Sequence, residues 1–571
     1  MENKQQTCAY FKNEQNNPKK KDNLYNMEVH SLSLRKKLNN KAKRYILPNS
    51  LANDLAYEIN IEEIKSKITN HQLYIDFINS TNEKNSLGLL FQMLLIENND
   101  DILKFSLANI KKYLIDTDQQ SFYSKNLSTE FNDKLINYLY ELVFKKSKDF
   151  YILSNILYIL NKLSILIKEE NDHFFDLLFK FFGNILNLAM TISSDEPQIK
   201  NLLYYLSSKI FLGKIELISK LENIYPTYIQ QIHNELIKMD INKLVKNTIL
   251  ISTLLNIINN CFFFKIYNNY FFSPFINNND VINVENIFQY IQKLFDYSYE
   301  MVIFEQGLRC VLTFICLFME NEKFFDDSIL KKKVQKIICN LKLEEKIVPL
   351  LYDNSINEPA LRNIALQILV NATFICSKKF CEKLIDNEIA SQITKLEEYL
   401  IGQIQITNRI KNVYRLLMDL IFNLIENESL DIIDNLSIEN NCISLLFKLQ
   451  KIPFYSSGNK NIIKIFHVLI QSNHKYIQTL LISEGICEWY KTILEDEPSP
   501  DDIESIISDF IAMVKYSANL DKDDNNENNF LLIHLEKIGI LELIISLKSR
   551  SDLSEEVLEL LNEFSSLFNK K

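Results

Sequence analysis

The sequence predicts an all-α protein built of repeated helical units stacked as a solenoid. Three observations lead there. A chain of 571 residues exceeds what one compact core serves, so it is either three or four globular domains or an array of repeats. Glycine (8) and proline (10) are scarce, which leaves few of the turns that sheets and glycine-rich ligand loops require. Helical spacing of apolar residues recurs from about residue 59 to the C-terminal end.

The clearest unit runs from Glu344 to Ile393. Glu344–Leu351 reads as a short helix, Asn354–Glu358 as a pause, and Pro359 to about Cys376 as a long amphipathic helix. Its stripe, Leu361, Ile364, Ala365, Ile368, Leu369 and Ala372, needs neighbours on both sides to be buried. Asn387–Ala390 then echoes the opening at Lys346–Pro349. Lys346 and Glu388 are 42 residues apart, inside the armadillo period of about 40–47.

Further long helices are expected at Tyr151–Glu169, Gln198–Leu212, Leu244–Cys261, Gln306–Met319, Ile410–Glu426, Asn461–Ser472 and Pro500–Ala518. Short turns at Glu388, Asn441, Gly485 and Gly539 fall 53, 44 and 54 residues apart, so two intervals carry insertions of about ten residues. Residues 115–150 read as an irregular insertion, and Phe262–Asn279 as an extended loop with exposed aromatics. Glu495–Asp502 and Asp521–Asn528 are acidic breaks, the first with carboxylates suited to a helix start. The expected organisation is a basic segment over 1–58, mostly disordered, then a right-handed superhelical armadillo solenoid over 59–571 of about nine or ten repeats.

Charge is uneven. Residues 1–50 hold 11 Lys and Arg against 4 Asp and Glu, a net of +7, so within a chain of −10 the other 521 residues carry −17. That balance disfavours nucleic-acid binding by the body. The first 25 residues lack the apolar core of a secretory signal, and the longest apolar run, Leu308–Met319, contains Arg309 and stops at Glu320, so no membrane insertion is expected. Nine scattered cysteines fit a reducing compartment, and Cys376 and Cys381, with no second Cys or His pair nearby, do not make a zinc pattern. His71, His173, His233, His467 and His534 are likewise isolated, no phosphate loop, nucleophile elbow or zincin motif occurs, and neither catalysis nor a cofactor is expected.

Glu28–Arg44 carries cations at Arg35, Lys36, Lys37, Lys41, Lys43 and Arg44 and exits through Tyr45–Ser50. Together with the Asn528–Phe568 ending and the repeats between, it resembles the importin-α (karyopherin-α) family over residues 28–570. The family's upstream arginine run is replaced here by Leu24–Met27. The resemblance implies an adaptor that shuttles between cytoplasm and nucleus. Importin-β would wrap the basic helix, basic nuclear-localisation cargo would lie in a groove lined by the third helix of each repeat, and an exportin of the Ran cycle would return it. Lys43 and Arg44 would fold back as a substitute cargo when importin-β is absent.

In that family a tryptophan and, four residues later, an asparagine recur along the groove, stacking on cationic side chains and holding peptide backbone. Here the one tryptophan, Trp489, belongs to an early helix of its repeat. The tryptophan slots hold Leu157, Tyr204, Ser252, Cys310, Gln367 and Ile463, and the asparagine slots Asn161, Ser208, Asn256, Phe314, Asn371 and His467. Asn161, Tyr204, Ser208, Asn256 and Asn371 are the expected cargo contacts. The eroded ladder leaves a second reading open, an armadillo scaffold that no longer carries basic cargo. Uniform two-helix repeats would favour a third, a HEAT-type carrier or phosphatase scaffold.

Overall fold

The computed structural model describes residues 60–568 apart from 81–82, 97–98, 117–128, 167–171, 194, 214, 241–243, 268–270, 272–283, 298–300, 322–325, 353–358, 377, 404–406, 427–429, 451–458, 473–474, 497 and 524–529. The basic segment, with Arg35, Lys36, Lys37, Lys41, Lys43 and Arg44, lies outside the described residues, as does the pause before Pro359. Among the described residues every regular element is helical. The chain divides into two compact units, Met1–Leu330 and Lys331–Lys571.

In the first unit the helices are α1 (Ile61–Ile68), α2 (Gln72–Asn79), α3 (Glu83–Leu94), α4 (Asp100–Asp116), α5 (Thr129–Lys145), α6 (Phe150–Leu166), α7 (Asp172–Thr191) and α8 (Pro197–Ser208). They continue as α9 (Ile215–Ile224), α10 (Tyr228–Lys238), α11 (Leu244–Phe263), α12 (Val284–Tyr297) and α13 (Met301–Glu320). Local chemistry starts α1: Asn60 Oδ1 accepts from the backbone N–H of Glu62 and Glu63 at 3.2 and 3.3 Å, and Ile64 and Ile68 turn inward. α4, α6, α8, α11 and α13 pack one on the next as a row. Behind that row α5 with α6, and α7 with α8, form helix pairs, whereas α9, α10 and α11 form a triplet.

The second unit holds five triplets: α14 (Ser328–Asn340), α15 (Leu343–Ile347) and α16 (Pro359–Ile375); α17 (Lys378–Asp386), α18 (Ile389–Ile401) and α19 (Asn408–Glu426); α20 (Leu430–Asp434), α21 (Cys442–Gln450) and α22 (Asn459–Gln471). α23 (Lys475–Glu484), α24 (Ile486–Glu495) and α25 (Pro500–Asp523) follow, then α26 (Phe530–Lys537), α27 (Ile540–Leu547) and α28 (Glu555–Phe568). The third helices α16, α19, α22, α25 and α28 pack in succession, each burying its apolar stripe between neighbours. Leu361, Ile364, Ala365, Ile368, Leu369 and Ala372 are all buried, as the spacing predicts.

Each turn from first to second helix in this unit rests on one left-handed residue: Lys342 (φ 48°), Glu388 (φ 61°), Asn441 (φ 57°), Gly485 (φ 92°) and Gly539 (φ 83°). The last four are the slots read from sequence. The fifth corrects that reading, because the equivalent of Glu388 is Lys342, 46 residues earlier, while Lys346 lies inside α15. A lysine leaves no glycine-like signal, so sequence spacing drifted by one turn. A side chain with a Cβ is strained in this region, by roughly 1 kcal/mol. Glu388→Gly is therefore expected to stabilise the unit by about 0.5–1 kcal/mol and Gly539→Ala to weaken it by about 1 kcal/mol, both read by urea unfolding.

Three further expectations change. Within 115–150, residues Thr129–Lys145 form the regular helix α5, whose Leu135, Ile136, Leu139, Tyr140, Leu142 and Val143 are buried; the intervening polar residues hid the period. Of the aromatics in 262–279, Phe262 at the end of α11, Tyr267 and Phe271 are buried instead of exposed, Phe263 and Phe264 are half-buried, and Tyr270, Phe272 and Phe275 lie outside the described residues. The chain folds back through left-handed Lys265 and Tyr267, so that Phe262 and Phe271 pack at 4.5 Å between ring centres and Tyr267 donates to Tyr225 O at 2.9 Å. Finally, among the described residues two helices are long and apolar enough to cross a membrane by length and composition, Phe174–Thr191 and Met301–Glu320. The second is α13, with 67% of its residues buried in the first unit. A third helix flanked by others on both sides is apolar around most of its circumference.

Burial also sets one titration. His233 on α10 is enclosed, and loss of solvation pulls its imidazole down to about 4. The unfolded chain binds this proton near pH 6.5, so the first unit should lose stability as pH falls from about 6.5 towards 4. His233→Gln should flatten that limb of the unfolding free energy against pH.

Candidate functional site

In a row of third helices, one side of each helix meets the first and second helices, two flanks meet the neighbouring third helices, and a narrow stripe remains for solvent or a partner. In the first unit that stripe is nearly closed. Asn161 is fully buried, and both hydrogens of its amide are engaged, by Leu157 O at 2.9 Å and by Leu202 O of α8 at 3.0 Å. Tyr204 is 1% exposed, and burial, with the nearby Glu235 charge, holds its phenol well above the usual tyrosine value. Ser208 turns back to Tyr205 O at 2.6 Å, and Asn256 is largely enclosed on α11. These four cargo candidates therefore sit in the packing between third helices. The i, i+4 reading found the helices but placed their polar positions on a covered face.

The same polar residues stitch helix to helix. Thr253 on α11 donates to Asn201 Oδ1 on α8 at 2.7 Å, and Thr313 on α13 donates to Asn259 Oδ1 on α11. In the second unit Asn423 on α19 donates to Val370 O and Thr373 Oγ1 on α16, at 2.9 and 3.1 Å. Each bond satisfies a buried polar group and fixes the sliding register of two helices that apolar contact alone would leave loose.

The stripe is open in the second unit. Solvent reaches Arg362, Asn363, Gln367 and Phe374 on α16; Lys411, Arg415, Asp419 and Glu426 on α19; and Lys464, His467 and Gln471 on α22. Asn371 lies on this line but is 7% exposed. The cations are connected. Arg362 lies over the Tyr399 ring at 5.1 Å, Arg415 reaches Asp419 at 3.5 Å and Asn412 at 3.3 Å, and Lys464 is close enough for its charge to act on Asp419. Burial raises the Asp419 carboxyl more than Arg415 and Lys464 lower it.

His467 is held by a partner the sequence reading missed. Its Nδ1 is 2.8 Å from Asp509 Oδ1 on α25, and Gln471 Nε2 reaches the same oxygen at 3.3 Å. Tyr490 of α24 donates to Asp509 Oδ2 at 2.6 Å. Asp509 is fully buried, one repeat away from His467, and its only sequence signal is a carboxylate inside the apolar run Ile506–Ile511. Burial opposes protonation of His467, but the hydrogen bond and charge of Asp509, with Glu504 nearby, outweigh it and hold the imidazole above its usual value. Trp489 lies on the second helix α24, edge-on to Phe466 at 5.4 Å, as core packing. Among the described residues no three His, Cys, Asp or Glu gather as a metal site.

No family model matches the chain, and no curated protein matches its sequence. Solved structures do. A structure from work on a phosphorylation switch between cadherin and beta-catenin aligns with 89% of this chain and 95% of its own, at 9% identity and a TM-score of 0.52. A SYS-1/POP-1 complex aligns over the same shares at 11% identity and a TM-score of 0.48. Importin beta aligns over 92% of this chain and 58% of its own, at 9% identity and 0.37. The first of these, with the five triplets, gives the chain an all-α armadillo-type repeat fold.

Proposed function

We propose that this armadillo-type chain is a protein-interaction scaffold that takes an extended segment of a partner along its third helices. The observation that carries the reading is the open polar stripe on α16, α19 and α22, whose side chains repeat from helix to helix while the apolar stripe of each helix is buried. Such a surface matches a chain without internal structure, which offers its own backbone and side chains at regular intervals. The role is one of binding, with no catalytic step. Hydrogen exchange of the full chain with its purified partner tests it: protection is expected on α16, α19 and α22. Protection confined to the first helices α14, α17, α20, α23 and α26 would reject it.

A second reading, nuclear import, is supported by the basic segment Glu28–Arg44. In it importin-β takes Arg35, Lys36, Lys37, Lys41, Lys43 and Arg44, basic cargo is carried, an exportin of the Ran cycle returns the adaptor, and the chain shuttles between cytoplasm and nucleus. Its test is retention of importin-β by residues 1–58, abolished by R35A/K36A. The charge of the third helices weighs against basic cargo on α16–α22, because a cationic peptide would meet cations there.

A further inference from the structure

We infer that the segment bound on α16, α19 and α22 is acidic, with carboxylates at about every third residue. The inference rests on the scaffold reading and specifies its partner. Those three helices together hold six Lys and Arg against two carboxylates, Asp419 and Glu426, a net of +4 in a chain of −10. The next two third helices reverse sign, α25 and α28 each carrying −4. The cationic charge is thus local to one stretch of the row.

Geometry sets the spacing. Asn423 meets Val370 across the α16–α19 contact, an offset of 53 residues. Successive third helices of an array run in the same direction, so the same offset brings Arg415 beside Arg362. Lys411 is one turn before Arg415, and Lys464 faces Asp419 from α22. Packed helices lie about 8–10 Å apart. A polyproline-like segment advances about 3.1 Å per residue with three residues per turn, so side chains at i, i+3 and i+6 recur on one face at about 9 Å. One acidic side chain then reaches each helix in turn. Arg362 adds a specific contact: its half-exposed guanidinium lies over the Tyr399 ring at 5.1 Å, which holds it in one orientation. A carboxylate of the partner satisfies a planar guanidinium of this kind in bidentate fashion.

The test is selection from a displayed random 16-residue peptide library on the full chain, repeated with the K411E/K464E variant. Both lysines are exposed, so the exchange leaves the core intact. Enrichment of peptides with Asp or Glu at three-residue spacing is expected, with binding weakened at least tenfold by the double variant and falling as salt rises. R362M, which keeps an unbranched stem but removes the guanidinium over Tyr399, should weaken the same peptides. Enrichment of neutral or basic sequences along the third helices would overturn the acidic partner but leave the scaffold reading in place. Acidic peptides indifferent to K411E/K464E would overturn the site. Tighter binding to a single-stranded U20 RNA than to any selected peptide would reassign the face to nucleic acid, and no enrichment at all would overturn both readings.

Discussion

Replacing Asp509 with alanine is expected to cost the second unit about 2–3 kcal/mol, mainly because the buried Tyr490 hydroxyl is left without its acceptor. The carboxylate accepts from Tyr490 and Gln471 and faces His467; its loss strands the buried Tyr490 hydroxyl, whereas His467 and Gln471 can turn to solvent. Urea unfolding with amide exchange on α22 and α25 measures the change. The pH dependence gives a second, independent sign. His467 is raised in the folded state, so its contribution is fully present below about pH 6.5, the unfolded value, and is lost as pH rises through the folded one. Asp509→Asn should abolish that slope while keeping much of the packing. A variant with the wild-type slope would show that His467 draws its proton affinity from Glu504 or the α25 backbone instead.

Lys209→Met is expected to act in the opposite direction, stabilising the first unit by about 2–3 kcal/mol at pH 7. Lys209 lies in the 3₁₀ turn Lys209–Leu212 after α8, 5% exposed, and burial pulls its ammonium down to about 7. The Tyr205 ring 3.8 Å away recovers part of the lost solvation through its π face. Because the folded value is depressed, wild-type stability is greatest above about pH 10.5 and falls as pH drops towards 7. Methionine keeps the length of the stem without the charge, so the gap between variant and wild type should close as pH rises from 7 to 10. Amide exchange on α8 and α11 would locate the effect. A variant less stable than wild type at pH 7 would show that the cation–π contact outweighs desolvation.

The fold was legible because it depends on local properties. The 3.6-residue period, the scarcity of glycine and proline and the left-handed turn positions all recur along the chain, and α16 and α25 begin at the prolines from which sequence reading starts them. The site was less legible. Period shows that a helix is amphipathic but not which of its polar residues face a neighbouring helix, so Asn161 and Tyr204 read as groove residues although they are buried. The reading failed most in the first unit, where third helices are covered around nearly their whole circumference, and came closer on α16 and α22, where Gln367 and His467 do reach solvent.

By itself, then, the sequence determined the repeating helical class, the bounds of its strongest elements and the positions where the chain must turn left-handed, since each is encoded within a few residues of the position concerned. The tertiary structure decided the partners of Asn423, His467 and Arg362, because each lies about one repeat or one helix away and only stacking brings them into contact. It also decided where charge remains in solvent. A carboxylate such as Asp509 is part of the acidic composition in sequence but is withdrawn into the core by packing, whereas Lys411 and Lys464 stay outside, and that partition gives one stretch of an acidic chain a cationic face.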